Sequence, residues 1–379
     1  MSINHFIYIK SNIFAKFVTH NMLLYVHFSG GNDMKRRKRL YRKNKQKKLI
    51  IIFLCTVLCF MVVGYSAFST RINLTAKGNI KDKSRVIQRW NVYSDEDFHT
   101  DFYKENIVSV TFLDNVIVPS NAVEKWDVSE SKDHGVMAYV TESASETGKY
   151  DLYIGAKNGV IANKNSALLF ADFINLKNIN FGNNFDTSNV INMAQMFLNC
   201  QNLTDIDLSS FNTENLLDMS GMFQMFDTKS QEDRSGKLKT IKFGSNFNTS
   251  NVTSMSSLFY RCSSLKTVDI SMFNTSKVTN MSGMFYGCTS LVSIDLNNLN
   301  TSNVTNMYAM FWYASSLTKL DLTSFDISKV ASTKKMFADT RSLTQICVSD
   351  KWNLQNVSNT ADMFLGSTIS EVTTGQCNN

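Results

Sequence analysis

Residues Phe273–Leu296 read Phe-Asn-Thr-Ser-Lys-Val-Thr-Asn-Met-Ser-Gly-Met-Phe-Tyr-Gly-Cys-Thr-Ser-Leu-Val-Ser-Ile-Asp-Leu. Two patterns succeed one another in this stretch. Val278, Met281, Met284 and Phe285 stand at i, i+3, i+6 and i+7, the spacing of a short helix with one buried stripe. Leu291, Ile294 and Leu296 have the spacing of a short parallel strand that buries its apolar residues and shows those between them. The Phe that closes the first pattern returns at Phe197, Phe223, Phe259, Phe285, Phe311, Phe337 and Phe364. The period is about 26 residues, within the range of leucine-rich repeats. One polar insertion, 227–236, breaks the rhythm and reads as a surface loop. The head of each stripe is Asn192, Asp218, Ser254, Asn280, Asn306, Ser332 or Asn359. All are N-cap types, whose side-chain oxygen accepts a bond from a free N–H at a helix start. The expected fold is therefore an α/β solenoid of leucine-rich-repeat type over 166–379. Each coil has a short strand and a short helix, and stacking of neighbours makes the core.

Outward from the repeat, residues 71–165 read as β-rich, with strand character at 107–118, 136–141 and 150–154. They are expected to cap the first coil and to act as a spacer, with Pro119 at an edge or turn. Farther upstream the charge is uneven. The whole chain carries +7, but 35–48 alone holds ten basic residues and no acid. Residues 71–379 hold 27 basic and 31 acidic side chains, a net charge of −4. The uncharged run 49–68 is long enough to cross a bilayer as a helix, roughly 30 Å. The positive-inside rule keeps the basic run cytoplasmic and sends the rest outward. The sequence predicts a basic cytoplasmic N-terminus at 1–48 and a transmembrane signal anchor, or a cleaved signal peptide, at 49–68. Residues 1–33 read as an upstream extension ahead of Met34. A nucleic-acid partner is not expected, because the basic charge is confined to the segment before the apolar run.

Several columns recur at the repeat spacing. The Met stripe reads as core filler rather than as a metal or haem ladder. Cys200, Cys262 and Cys288 share a position with Phe226, Ala314, Thr340 and Ser367, so they read as small buried residues. A Cys262–Cys288 bridge is conceivable, and a Cys347–Cys377 disulfide would staple the last coil. Asp207, Asp269, Asp295 and Asp321 alternate with the core residues and form an exposed column. They are either a ligand or cation face, or soluble caps bonded to nearby N–H groups, which is the preferred reading. Lys266 and Lys319 are candidate contacts on that face. Tyr308, Trp312 and Tyr313 are candidate aromatic anchors of the kind enriched at interfaces.

The repeat of Phe273–Leu296, its copies, and the lead-in from Trp126 to Phe181 resemble the BspA-type leucine-rich-repeat surface proteins of bacteria, in the branch of repetitive mycoplasma lipoproteins of unknown function. That resemblance implies a cell-surface protein used in adhesion or protein binding. A lipid-attachment Cys and a Leu-Pro-x-Thr-Gly wall-sorting motif are lacking, which leaves the N-terminal run as the expected tether. No nucleophile–base pair, metal cluster or phosphate loop is found in the sequence, so an enzyme is not expected and no cofactor is implied. The expected function is an adhesin or binding module for an extracellular protein or glycan of a host, matrix or neighbouring cell. The alternative is an envelope coat without a specific ligand.

Overall fold

The computed structural model describes residues 83–89, 104–225, 236–375 and 377. The chain divides into two compact units, 1–81 and 82–379, and the described residues all lie in the second. Among the described residues the elements are twelve strands and two three-residue 3-10 turns, Lys83–Arg85 and Leu354–Asn356. No α-helical element is formed within the described residues. The α/β solenoid of leucine-rich-repeat type is therefore not the fold, and the coils carry turns where helices were expected. The transmembrane expectation is likewise corrected. No helix among the described residues is long and apolar enough to cross a membrane, and 1–48 and 49–68 lie outside them.

The β-branched run Ile107–Leu113 forms β1, the fourth strand of a five-stranded sheet. Its neighbours are set by the chain order. β2 (Glu124–Asp127) pairs antiparallel with β3 (Val136–Glu142), and β3 pairs antiparallel with β4 (Tyr150–Ala156). β4 and β6 (Asn178–Asn180) then flank β1 in parallel, giving the order β2-β3-β4-β1-β6. Pro119 sits in the β1–β2 connection and closes a turn by accepting a bond from the Ala122 N–H at 3.1 Å. Because β6 lies in the first repeat-like segment, this sheet joins the stack of coils directly. The Phe112 ring of β1 is 6.2 Å from Phe170, 5.5 Å from Phe181 and 4.4 Å from Phe185, so one core runs from sheet into coils.

The coils meet along a ladder of parallel bridges that runs Asn165, Asn192, Asp218, Ser254, Asn280, Asn306, Ser332, Asn359. These are the residues expected to cap helices. Their side chains do accept a bond from the N–H two residues on, as at Asn280–Ser282 (3.0 Å) and Asn306–Tyr308 (2.9 Å). Past each ladder residue the chain makes two consecutive turns instead of a helix. The third and seventh residues after the ladder take left-handed backbone in every coil except at Met225, for example Ser257 (φ 56°) and Arg261 (φ 58°), or Gly283 (φ 59°) and Gly287 (φ 67°). Left-handed residues at this interval break an α-helix. They turn alternate N–H groups outward along the stack. In one coil Met281, Gly283, Phe285 and Gly287 donate to Asn306, Tyr308, Met310 and Trp312 of the next, at 2.7–3.0 Å. The same four bonds join each successive pair of coils.

The stripe expected on a helix is buried all the same. Met281, Met284 and Phe285 are fully inside, as are their counterparts in every coil but the last. The closing Phe rings stack from Phe170 through Phe197, Phe223, Phe259, Phe285, Phe311 and Phe337 to Phe364, with centroids 5.4–6.0 Å apart. Opposite them, Thr187, Thr213, Thr249, Thr275 and Thr301 are buried hydroxyls. Thr275 shows how burial is compensated: its Oγ1 donates to the Asn300 carbonyl (2.9 Å) and accepts from the Asn300 N–H (2.8 Å).

The strand side is less continuous. β5 (Val160–Ile161) pairs with β7 (Phe185–Asp186), and β8 (Asp205–Leu208) with β9 (Thr240–Phe243). β10 (Lys319–Leu322), β11 (Gln345–Val348) and β12 (Thr373–Thr374) form a last sheet. Between β9 and β10, residues 267–270 and 293–296 form no strand. Their apolar residues still point inward, but the Asn298 amide, not a neighbouring strand, donates to the Ile270, Ser271 and Phe273 carbonyls at 2.9–3.1 Å.

Candidate functional site

The strand face carries the Asp column, and each carboxylate is occupied within its own coil. Oδ1 of Asp207 accepts from the Ser209 N–H (2.8 Å) and hydroxyl, Asp269 from Ser271 N–H (2.9 Å), and Asp295 from Asn297 N–H (3.0 Å). Asp321 accepts from the Thr323 N–H (3.0 Å) and its hydroxyl (2.6 Å). The Ser209 hydroxyl, with Lys242 at 2.9 Å, holds the Asp207 carboxyl below the usual range, and Ser271 does the same for Asp269. These are the side-chain-to-backbone bonds that Asp makes in turns. Among the described residues no group of three His, Cys, Asp or Glu side chains converges as metal ligands do. Lys266 and Lys319 are exposed on the same face, on different coils.

The aromatic residues form a cluster on the turn side. Tyr260, Tyr286 and Trp312 occupy the sixth place after the ladder in three successive coils. Tyr260 and Tyr286 stack at 4.3 Å, Tyr286 meets the edge of Trp312 at 5.0 Å, and Trp312 stacks on Tyr313 at 5.4 Å. Burial, and then the neighbouring Tyr260, push the Tyr286 phenol up to about 12. Cations frame the cluster. The Arg261 guanidinium lies 5.9 Å from both tyrosine centroids, and Lys335 Nζ lies 4.1 Å from the Trp312 centroid. Gly287 makes room for Arg261, since a Cβ there would stand 3.0 Å from its Cγ. Trp312 Nε1 donates to Asp339 at 3.1 Å, and Arg341 reaches the same carboxylate at 3.5 Å. Tyr308 (38% exposed) and Tyr313 (39%) keep the most ring surface in water. The residue spacing pointed to Tyr308, Trp312 and Tyr313. It missed Tyr260, Tyr286, Arg261 and Lys335, whose common register was visible only as two more aromatic residues after the repeat Phe.

The cysteines divide in two. Cys200, Cys262 and Cys288 are free and fully buried, so no Cys262–Cys288 bridge is formed. Burial drives their thiols far above the ordinary range. Each Sγ instead donates to the carbonyl of a repeat Phe in the coil before, as Cys288 does to Phe259 at 3.1 Å. Cys347 and Cys377 are disulfide-bonded, with Cα atoms 5.4 Å apart.

A family described as "Mycoplasma protein of unknown function, DUF285" matches residues 164–265, 224–347 and 268–374. The three overlapping matches span more than half of the chain. The chain belongs to this family. The DUF285 matches cover the coils and leave out β1–β4, so the aromatic cluster and the Asp column lie inside them and the five-stranded sheet lies mostly outside. No curated protein and no solved structure matches the chain.

Proposed function

We propose that the protein is a cell-surface binding module that presents the aromatic cluster of its turn side to an extracellular protein or glycan. The observation that carries this reading is the partly exposed shelf of Tyr286, Trp312 and Tyr313, with Tyr308 exposed in the same coil as Trp312. Three coils bonded backbone to backbone fix it in place, so little conformational entropy is lost on binding. Tyr, Trp and Arg are the residues that dominate interface energies, and here they are gathered rather than scattered. The surface location rests on the family match to a mycoplasma repeat and on the resemblance of that repeat to BspA-type surface proteins. The Asp column is not part of the proposed site, because each carboxylate is engaged in its own turn.

The test is binding of the purified full-length protein to an array of extracellular proteins and glycans, repeated with Tyr308→Ala and Tyr313→Ser. Both side chains are exposed, so folding should survive. Loss of one hot-spot ring costs about 1–2 kcal/mol, roughly tenfold in affinity. A blank array with the wild-type chain would favour the envelope coat. Full binding by both variants would move the site elsewhere on the molecule.

A further inference from the structure

The two ends of the stack differ. The first coil is closed: Leu169 and Phe170 are fully buried, and Phe112 of β1 packs against the Phe170 ring. The last coil, 359–367, has the same turns, with Asp362 (φ 56°) and Gly366 (φ 72°) in the left-handed places. Its carbonyls at Asn359, Ala361, Met363 and Leu365 accept the four bonds from the coil before. The corresponding N–H groups of Thr360, Asp362, Phe364 and Gly366 have no acceptor among the described residues. Phe364 stacks on Phe337 at 5.5 Å and is half-buried, and Leu365 is 58% exposed. Residues 368–375 do not continue over this edge. They cross to the strand side, where β12 pairs with β11 and Cys377 is bonded to Cys347.

We propose that this edge is a docking site for an extended segment of another protein that carries the repeat's own turn motif. The molecule shows seven times over what seats on such an edge: a backbone parallel to the coil, with a carbonyl at every second residue, a Phe over the Phe column and a side chain against the sixth place. Strand addition of this kind takes its affinity from the main-chain bonds and its specificity from the side chains between them. A second copy of this chain does not meet the requirement. Two last coils face to face would set N–H against N–H, and the first coil of another copy has Leu169, Phe170 and Ala171 buried beneath its own sheet. The edge lacks the Pro and Lys that usually blunt one, and beside the exposed Asp362 it shows Leu365 to solvent.

The experiment uses the purified full-length protein and a fluorescein-labelled peptide of residues 328–342, which holds the ladder residue, the turns and the repeat Phe of one coil. Fluorescence anisotropy should show saturable binding. The affinity should fall at least tenfold for the Leu365→Asp protein, and likewise for a peptide carrying Phe337→Asp. Amide exchange at Asp362, Phe364 and Gly366 should slow in the complex. Absence of saturable binding would overturn the proposal, as would equal binding by Leu365→Asp. Concentration-dependent self-association of the free protein in sedimentation, abolished by Leu365→Asp, would also overturn it by placing a second copy on the edge.

Discussion

At the level of single residues, backbone hand decides what each coil can be. The third place after the ladder holds Gly221 and Gly283 in two coils, but Gln195, Ser257, Ala309, Lys335 and Asp362 in others, all with φ near +57°. That conformation costs a residue with a Cβ about 1–2 kcal/mol, against a smaller gain from restricting its unfolded chain. Ser257→Gly should therefore stabilise the protein by up to about 1 kcal/mol. Gly283→Val should destabilise it by about 1–3 kcal/mol, although the site has space, the nearest atom to an added Cβ being Ser257 Oγ at 3.4 Å. Urea midpoints for the two variants should move in opposite directions at an unchanged slope. A neutral Gly283→Val would show that these turns relax to ordinary backbone and that the left-handed places are not what excludes the helix.

At the level of elements, the sequence was legible wherever burial alone set the pattern. Met281, Met284, Phe285 and Cys288 lie inside, and Leu291 and Leu296 line the core as the strand spacing predicts. The type of element was not legible from that spacing. Apolar residues at i, i+3, i+6 and i+7 describe a helix stripe, and two consecutive turns repeat with nearly the same register. The cap residues do not separate the cases either, because an Asn that accepts from the N–H two residues on opens a turn as readily as a helix. The signal that separates them was Gly at 221, 283, 287 and 366, with Asn or Asp at 172, 199, 339 and 362, at the third and seventh places. These are the residue types that tolerate left-handed backbone. The candidate site was half legible for a related reason. Tyr308, Trp312 and Tyr313 stand together in sequence, whereas Tyr260 and Tyr286 join them only once the coils are in register. The interrupted strand ladder gave no sequence signal, since Val268-Asp269-Ile270 and Ile294-Asp295-Leu296 match their paired counterparts. Amide exchange should expose it. The Ile270 and Leu296 N–H groups should exchange faster than those of Ile206 and Leu320, which lie in β8 and β10. The N–H groups of Phe259 and Phe285, bonded across the turn side, should be protected alike. Equal protection at all four strand positions would mean that the ladder closes in solution.

At the level of the whole molecule, each coil bonds only to its neighbours, so the stack should lose structure from its weaker end before it loses the rest. The N-terminal end is covered by a five-stranded sheet that shares its core, through Phe112, with the first coils. The C-terminal end is held by the short strand β12, whose two residues are exposed, and by the Cys347–Cys377 bridge across 30 residues. A cross-link closing a loop of that size is worth about 3–4 kcal/mol in the chain-entropy account, and here it restrains the segment after the last coil. Reduction should therefore act locally. In a urea series monitored by hydrogen exchange and mass spectrometry, peptides from 343–375 should open at lower urea once the bridge is reduced. Peptides from 192–225 should keep their midpoint. The free thiols of Cys200, Cys262 and Cys288 should stay unreactive in the reduced protein until that second transition, because all three are fully buried in the earlier coils. If reduction instead shifts every peptide by the same amount, the stack unfolds as one cooperative body, and the coupling carried by the continuous Phe column outweighs the independence of its coils.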